Sequence, residues 1–474
     1  MEDRSRQLTD RDARRRERAI AASVVALLAA AVVALIVYNR VQAAKIGTGT
    51  YIPRREKITP EVRLLQQYVQ IDTANPPGNE IAGARWLGAR LARFGIPFEI
   101  IESAPARANL YARIRGKRGG EGLLLLNHID VVPAAPQGWT RPPFRADIYG
   151  NMLWGRGALD MKGVGIAQLE AFIAVATRGR QPEHDVVFLA TADEENGSAL
   201  GTRWLLEHRP DVFSGVKYAL AEGGITEMEQ TKLTYYGIEV GSKQAVSLDI
   251  AAPSKEQLER ARIHLERHFV RDEPDRVLPE IARFFRQIAP VRLEHRDLLA
   301  DIDRTIAAGK FWLLPQAYRS LTQDVVRVRN IRADGARFTA GVYMSNLPDT
   351  LPDERIGWLA KEIAPFGARV VTVHGKGGPA PISSDQTPLF AILEKEIRRQ
   401  YGLVPVGTEV LATSASDSRF LRPRGITCYG FLPFPADFYQ SQSIHGVDER
   451  VTIDSFTQGV QVMRRVVLDY AGLA

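Results

Sequence analysis

Cysteine is nearly missing from this chain: Cys428 is the single one in 474 residues. No internal disulfide can form, and no cluster of thiolates can hold a metal. Any metal must be held by histidine and carboxylate. Cys428 itself lies in the apolar run Ile426 to Phe431 and reads as an inert core residue. Dense basic clusters interleaved with aromatics are missing too. The net charge is +7 and the pI near 9.4, yet the one tight run is Arg14-Arg15-Arg16 with Arg18 beside it. That argues against a nucleic-acid partner. Internal repeats and low-complexity tracts are also lacking. What remains is an ordinary globular composition, 45% hydrophobic and 25% charged, long enough for two or three domains around a sizeable core.

One long apolar run is present. Ala19 to Tyr38 carries no charge and is rich in Ala, Val, Leu and Ile. Twenty residues at roughly 1.5 Å each span roughly 30 Å, the thickness of a bilayer core. A secretory signal core is shorter, roughly 7–15 residues, and ends at a small-residue cleavage site, for which Val41 to Ala44 is a poor candidate. Seven arginines precede the run, whereas Arg40 and Lys45 alone follow closely. The positive-inside rule then keeps residues 1–18 in the cytoplasm as a basic tail and makes 19–38 a single-pass signal anchor. The rest of the chain is expected on the far side of the membrane: periplasmic, extracellular or lumenal.

Residues 39–57 read as a linker. From there apolar strands alternate with helices. Helices are expected at 61–71, 82–94 and 163–177, and strands at 98–101, 108–114, 123–126 and 185–191. This order predicts an α/β domain with a mostly parallel central sheet over residues 58–243, completed by 375–474. Helices at 389–400 and 453–470 and a strand at 429–434 belong to that second part. Residues 244–374 change in character, with strands at 244–250, 336–344 and 368–373 and helices at 255–269 and 352–363. They read as an inserted α+β lid of the dimerisation type. Helical patches at 281–288 and 298–307 fall in a stretch, 270–335, to which the sequence assigns no role.

Four islands carry chemistry: His128-Ile129-Asp130, Gly157-Ala158-Leu159-Asp160, Asp193-Glu194-Glu195 and Ser443-Ile444-His445-Gly446. His128 and Glu194 each fall just after an apolar strand, where open α/β sheets gather their ligands. Two histidines with several carboxylates suit a pair of zinc ions, and a Glu-Glu pair supplies both a ligand and a general base.

With these islands the chain resembles the carboxypeptidase S-like branch of the aminoacylase and glutamate carboxypeptidase family of two-zinc metallopeptidases. The matching strings are Asn127 to Pro133, Trp154 to Gly163, Asp193-Glu194-Glu195, Ala221-Glu222-Gly223-Gly224, Ser414 to Arg419 and Ile444 to Glu449, in the expected order. The resemblance implies an enzyme, a zinc-dependent metallopeptidase or amidohydrolase of carboxypeptidase or aminoacylase type. His128 and Glu222 would bind the first zinc, Glu195 and His445 the second, and Asp160 would bridge the two. Asp130 would accept a hydrogen bond from His128 and fix its tautomer. Glu194 would be the base that activates a metal-bridged water. Cobalt or manganese are candidate substitutes for zinc. The substrates implied are small peptides or N-acyl amino acids, and homodimerisation through the lid is a family habit.

Other residues receive plainer expectations. Asp193 reads as a turn residue, and Lys162 as a helix start pointing to solvent. Asp417 and Arg419 read as either a loop near the substrate or a structural turn. His184, His208, His264, His268, His295 and His374 read as surface or capping residues. One departure stands out. Relatives carry a Gly-His-Ser-like segment after the first lid strand, where this chain has Ala251-Ala252-Pro253-Ser254. A rival expectation follows: a non-catalytic or low-activity binding protein that keeps the fold.

Overall fold

The computed structural model describes residues 58–224, 226–229, 232–271, 275–376, 381–411 and 416–474. The tail, the apolar run 19–38 and the linker named above lie outside these residues. No described helix is long and apolar enough to cross a membrane.

The strands, in chain order, are β1 (Glu99–Ala104), β2 (Arg107–Ile114), β3 (Arg118–His128), β4 (Asp147–Tyr149), β5 (Met152–Trp154), β6 (His184–Thr191), β7 (Val216–Ala221), β8 (Thr226–Glu229), β9 (Lys232–Ser242), β10 (Gln244–Ala252), β11 (Val325–Asp334), β12 (Arg337–Asn346), β13 (Arg369–Lys376), β14 (Val406–Leu411), β15 (Thr427–Gly430) and β16 (Arg450–Thr452). The main sheet has the order β1-β2-β6-β3-β7-β15-β9-β14, with β8 beside β9. Its centre, β6-β3-β7-β15, is parallel. Antiparallel pairings at β1/β2, β2/β6 and β15/β9 make the sheet mixed rather than mostly parallel.

Composition explains the parallel centre. Leu123 to Leu126 in β3 and Val186 to Ala190 in β6 are fully apolar and buried, as strands covered on both faces must be. The helix Lys162–Ala176 is buried on nearly every side, which suits its all-round apolar sequence. It packs between the sheet and the last helix, Ile453–Tyr470.

A second, antiparallel sheet has the order β11-β12-β10-β13. Helices Lys255–Arg271 and Pro352–Ile363 cover it, and Val246, Leu248, Ile250, Leu258, Leu265, Val342, Met344, Leu359 and Ile363 form its separate core. Sequence reading missed β11. Its outer position leaves it charged and mostly exposed, and a bulge between Arg329 and Arg332 breaks the alternation that would mark it.

The expected single insertion at 244–374 needs a correction. Helices Pro279–Ile288, Arg296–Ala300 and Ile302–Ala307 do not join the second sheet. Ile281, Phe285, Ile288, Leu299, Ile302, Phe311 and Leu321 belong to the core of the main sheet, against Tyr235 and β14. Their apolar faces are legible in sequence, but the surface each face meets is not. A third, small sheet, β16-β5-β4, ties the end of the chain to the loop before Asp160.

Candidate metal centre

Parallel neighbours β6, β3 and β7 end side by side, and each hands over to an acidic or imidazole side chain. His128 is the last residue of β3, and Glu222 directly follows β7. After β6, Asp193 takes the left-handed conformation at φ 66°, turning the chain so that Glu194 and Glu195 fall in a single 3-10 turn. Asp160 arrives on the turn before the helix Lys162–Ala176. His445 arrives just after the short helix Phe438–Ser443.

These five elements bring the expected residues together. His128 Nε2 lies 3.1 Å from Asp160 Oδ1 and 3.3 Å from Glu222 Oε2. His445 Nε2 lies 2.9 Å from the other Asp160 oxygen, Oδ2, and 3.1 Å from Glu195 Oε2. Asp160 thus turns one oxygen to each imidazole. Ligand atoms of His128, Asp160 and Glu195 fall within 4.8 Å of one another, as do those of His128, Glu194 and Glu222. Proximity alone therefore does not separate Glu194 from the ligands. Its contacts do. Asp160, Glu195 and Glu222 each meet an imidazole nitrogen within 3.3 Å, whereas no such bond to Glu194 is found among the described residues; Oε1 of Glu194 and Oε1 of Glu195 are both buried without a hydrogen-bond partner there. Arg419 Nη2 lies 3.9 Å from Glu194 Oε1.

The electrostatics test whether this donor set suits a metal. Burial would lower the His128 pKa, but Glu222 and Asp160 outweigh it and hold the ring well above its ordinary range. Hydrogen bonds to Asp160 and Glu195 push His445 up to about 10. Burial pushes Glu222 up to about 7; burial, with Glu222 and Asp417, also holds Glu194 well above the usual carboxylate range. Against its own burial, Asp160 is held well below the carboxylate range by both histidines. The cluster gathers more negative charge than the protein neutralises, and protons make up the difference. Divalent cations do the same with neutral histidines and ionised carboxylates. The residues fit a metal centre.

Asp130 requires a correction. His128 Nδ1 bonds the main-chain carbonyl of Asp130 at 2.9 Å, while the Asp130 carboxylate lies 3.7 Å away. Either acceptor fixes the tautomer with Nε2 facing the cluster, but the carboxylate has a different task. It accepts the main-chain N–H groups of Glu194 and Glu195 at 3.1 and 3.2 Å, and Asn75 Nδ2 at 2.9 Å. It therefore positions the Glu-Glu turn. Asn75 also bonds Asp193, which Arg107 joins to Glu80.

Lys162 also departs from expectation. It does begin its helix, but it is fully buried and donates to the carbonyls of Tyr68 and Ile71. Burial lowers its pKa to about 7. Asp193 is a turn residue, as expected. Asp417 is buried and bonded to Ser198. His264 pairs with Glu362 and His374 with Asp249, within the second sheet layer, so neither supplies the missing lid histidine.

Sequence reasoning missed the brace behind Asp160. Glu449 is fully buried and accepts the N–H groups of Gly157, Leu159 and Asp160. Arg156 pairs with Glu449 at 2.6 Å and donates to the carbonyl of Gly446, next to His445. Both residues stood inside motif strings, which was the available signal.

Known proteins resemble this chain in sequence and in fold. The family model "Peptidase family M20/M25/M40" matches residues 124–469. Probable carboxypeptidase S-like 2 of Dictyostelium discoideum is 25% identical over 374 residues, covering 71% of this chain and 69% of that protein. A succinyl-diaminopimelate desuccinylase of Gluconacetobacter diazotrophicus is 34% identical over 150 residues, covering 31% of this chain but less than half, 38%, of that enzyme. An M20 family metallo-carboxypeptidase from Sulfolobus solfataricus shares the fold with a TM-score of 0.64 at 19% identity, over 88% of this chain and 100% of that one. Human carnosine dipeptidase 1 shares it with a TM-score of 0.64 at 14% identity, over 87% and 96%.

Proposed function

The chain belongs to peptidase family M20/M25/M40 and is a metal-dependent peptidase or amidohydrolase, and from that premise we propose a two-zinc hydrolase of small peptides or N-acyl amino acids. One observation carries the reading: Asp160 turns one oxygen to His128 and the other to His445, with Glu222 and Glu195 completing the two sets. His128, Asp160 and Glu222 would hold one ion, and His445, Asp160 and Glu195 the other. Nitrogen and carboxylate donors without thiolate suit zinc, with cobalt and manganese as substitutes. When bound, the pair supplies Lewis acidity for the scissile carbonyl and acidity for the attacking water.

The protein's own work is proton transfer and positioning. Glu194 Oε1 takes a proton from the attacking water and delivers it to the leaving amine nitrogen as the C–N bond breaks. A carboxyl suits both steps, because it can accept the proton and return it. Asp130 fixes Glu194 through the main chain. Arg156 and Glu449 hold the Asp160 and His445 loops against each other. A non-catalytic binder is not favoured, because such a protein has no need of a buried Glu194 beside an otherwise complete ligand set.

The run 19–38 is proposed to anchor the enzyme, with its catalytic part outside the cytoplasm; the charge asymmetry of the sequence supports this. A dimer through the second sheet is the family analogy. The test is a screen of dipeptides and N-acyl amino acids on the metal-stripped chain reloaded with zinc, cobalt or manganese. Turnover that depends on about two ions per chain supports the reading. No hydrolysis of any amide with any metal defeats it. Retention of the full chain in membranes after carbonate washing tests the anchor separately.

A further inference from the structure

Glu194 and Glu195 are adjacent in sequence and take opposite roles in the proposed reaction, base and ligand. A turn free to swing would let the two exchange. Asp193 opens that turn at φ 66°, a left-handed conformation that costs a residue with a side chain free energy and persists when its surroundings hold it. The surroundings do hold it. The main-chain carbonyl of Asp193 accepts the N–H groups of Asn196 and Ser198. Its carboxylate oxygen Oδ2 accepts the N–H of Leu200 at 3.1 Å.

The other oxygen, Oδ1, belongs to a charged frame. Arg107 grips the Glu80 carboxylate with two prongs, Nε to Oε2 and Nη2 to Oε1, both at 2.6 Å. The same Nη2 donates to Asp193 Oδ1 at 2.9 Å. Asn75 Nδ2 donates to Asp193 Oδ1 at 3.0 Å and to Asp130 Oδ2 at 2.9 Å. The Glu80 side chain is fully buried, and those of Asp193 and Arg107 are nearly so. Charged bonds are strong in such a dry setting. Asn75, Gly78 and Glu80 come from one short segment. Gly78 has φ 84°, and a Cβ there would meet Arg107 Nε at 2.3 Å, so a glycine lets the guanidinium lie against the main chain. The N–H of Ile81 donates to the carbonyl of Ala106 at 3.1 Å, tying the segment to the residue before Arg107.

We propose that Arg107, aimed by Glu80, is a positioning residue for the reaction. It holds the Asp193 turn, and the turn decides which glutamate meets the metal and which stays free as the base. Arg107 acts through Asp193. The inference rests on the reading of Glu194 as base and Glu195 as ligand. A small displacement of the base is expensive, because proton transfer needs hydrogen-bond distance in the transition state.

The test is Arg107→Lys in the full chain. Lysine keeps a positive charge beside Glu80, but one ammonium cannot reproduce the fork and reach Asp193 as well. In the metal-free chain, the N–H groups of residues 194–198 should exchange with solvent at least about tenfold faster than in wild type, while those of the helix Lys162–Ala176 keep their rates. In the zinc-loaded chain, shown folded by circular dichroism, kcat should fall by about tenfold to a hundredfold with KM within about twofold. A merely structural role would lower the urea midpoint and leave both the local exchange and kcat alone, and that result overturns the proposal. So does a fall in kcat with exchange at 194–198 unchanged. Should the lysine variant fail to fold, Arg107→Met with Glu80→Leu removes both buried charges together, and the same exchange readout decides. If wild type hydrolyses no amide with any metal, the proposed function fails, and exchange at 194–198 still shows whether Arg107 holds the turn.

Discussion

Arg156 and Glu449 stand 293 positions apart in sequence and meet as a buried ion pair at 2.6 Å. The pair does more than neutralise itself. Glu449 satisfies three main-chain N–H groups of the Asp160 turn, and Arg156 reaches the loop that carries His445. Burial raises the Glu449 pKa and Arg156 opposes the rise, so removing either partner leaves an uncompensated buried charge.

Arg156→Leu or Glu449→Ala should each cost about 3–5 kcal/mol of stability. The double variant should recover only part of this, because three N–H groups stay without an acceptor. Urea unfolding of the metal-free chain checks the order.

Asp160→Ala should lose both ions, since it faces both histidines. His128→Ala and His445→Ala should each weaken one ion more than the other. Metal content after dialysis at a fixed zinc concentration distinguishes the three. Equal retention in Asp160→Ala and wild type would contradict the shared role.

Gly430 explains a packing constraint on Glu222. A Cβ there would meet the main-chain oxygen of Glu222 at 2.4 Å and Glu239 Oε2 at 2.7 Å. Gly430→Ala should destabilise by about 1–3 kcal/mol and lower affinity for the ion nearer His128. Denaturant midpoints and zinc titration read the two effects.

Cys428 is buried, and burial pushes its thiol up to about 12. Native protein at pH 8 should resist a thiol reagent, and unfolded protein should take up one label per chain. Rapid labelling of the native chain would contradict the core placement.

His128, Glu194 and Glu195 were legible because each lies at or just after the end of an apolar stretch that becomes a buried strand. Asp160 lies on a turn and His445 follows a short helix, so those two rested on their motif strings. Glu222 needed the family resemblance, because Ala221-Glu222 alone is an unremarkable dipeptide. The part played by the Asp130 carboxylate was not legible, since its partners are N–H groups that sequence does not display. Nor was the burial of Lys162, because a lysine at a helix start is ordinarily solvated and only the fold places Tyr68 and Ile71 over it. Long-range pairs such as Arg156–Glu449 are invisible until the chain is folded. The helices at 279–307 show their apolar faces but not the sheet those faces will meet.

The most direct test is Glu194→Gln, assayed for both metal content and turnover. The substitution keeps size and removes the titratable oxygen. The account predicts two bound ions per chain, as in wild type, with turnover reduced by about 10²–10⁴. Turnover at the wild-type rate, or loss of an ion along with activity, would contradict the assignment of Glu194 as the base rather than a ligand.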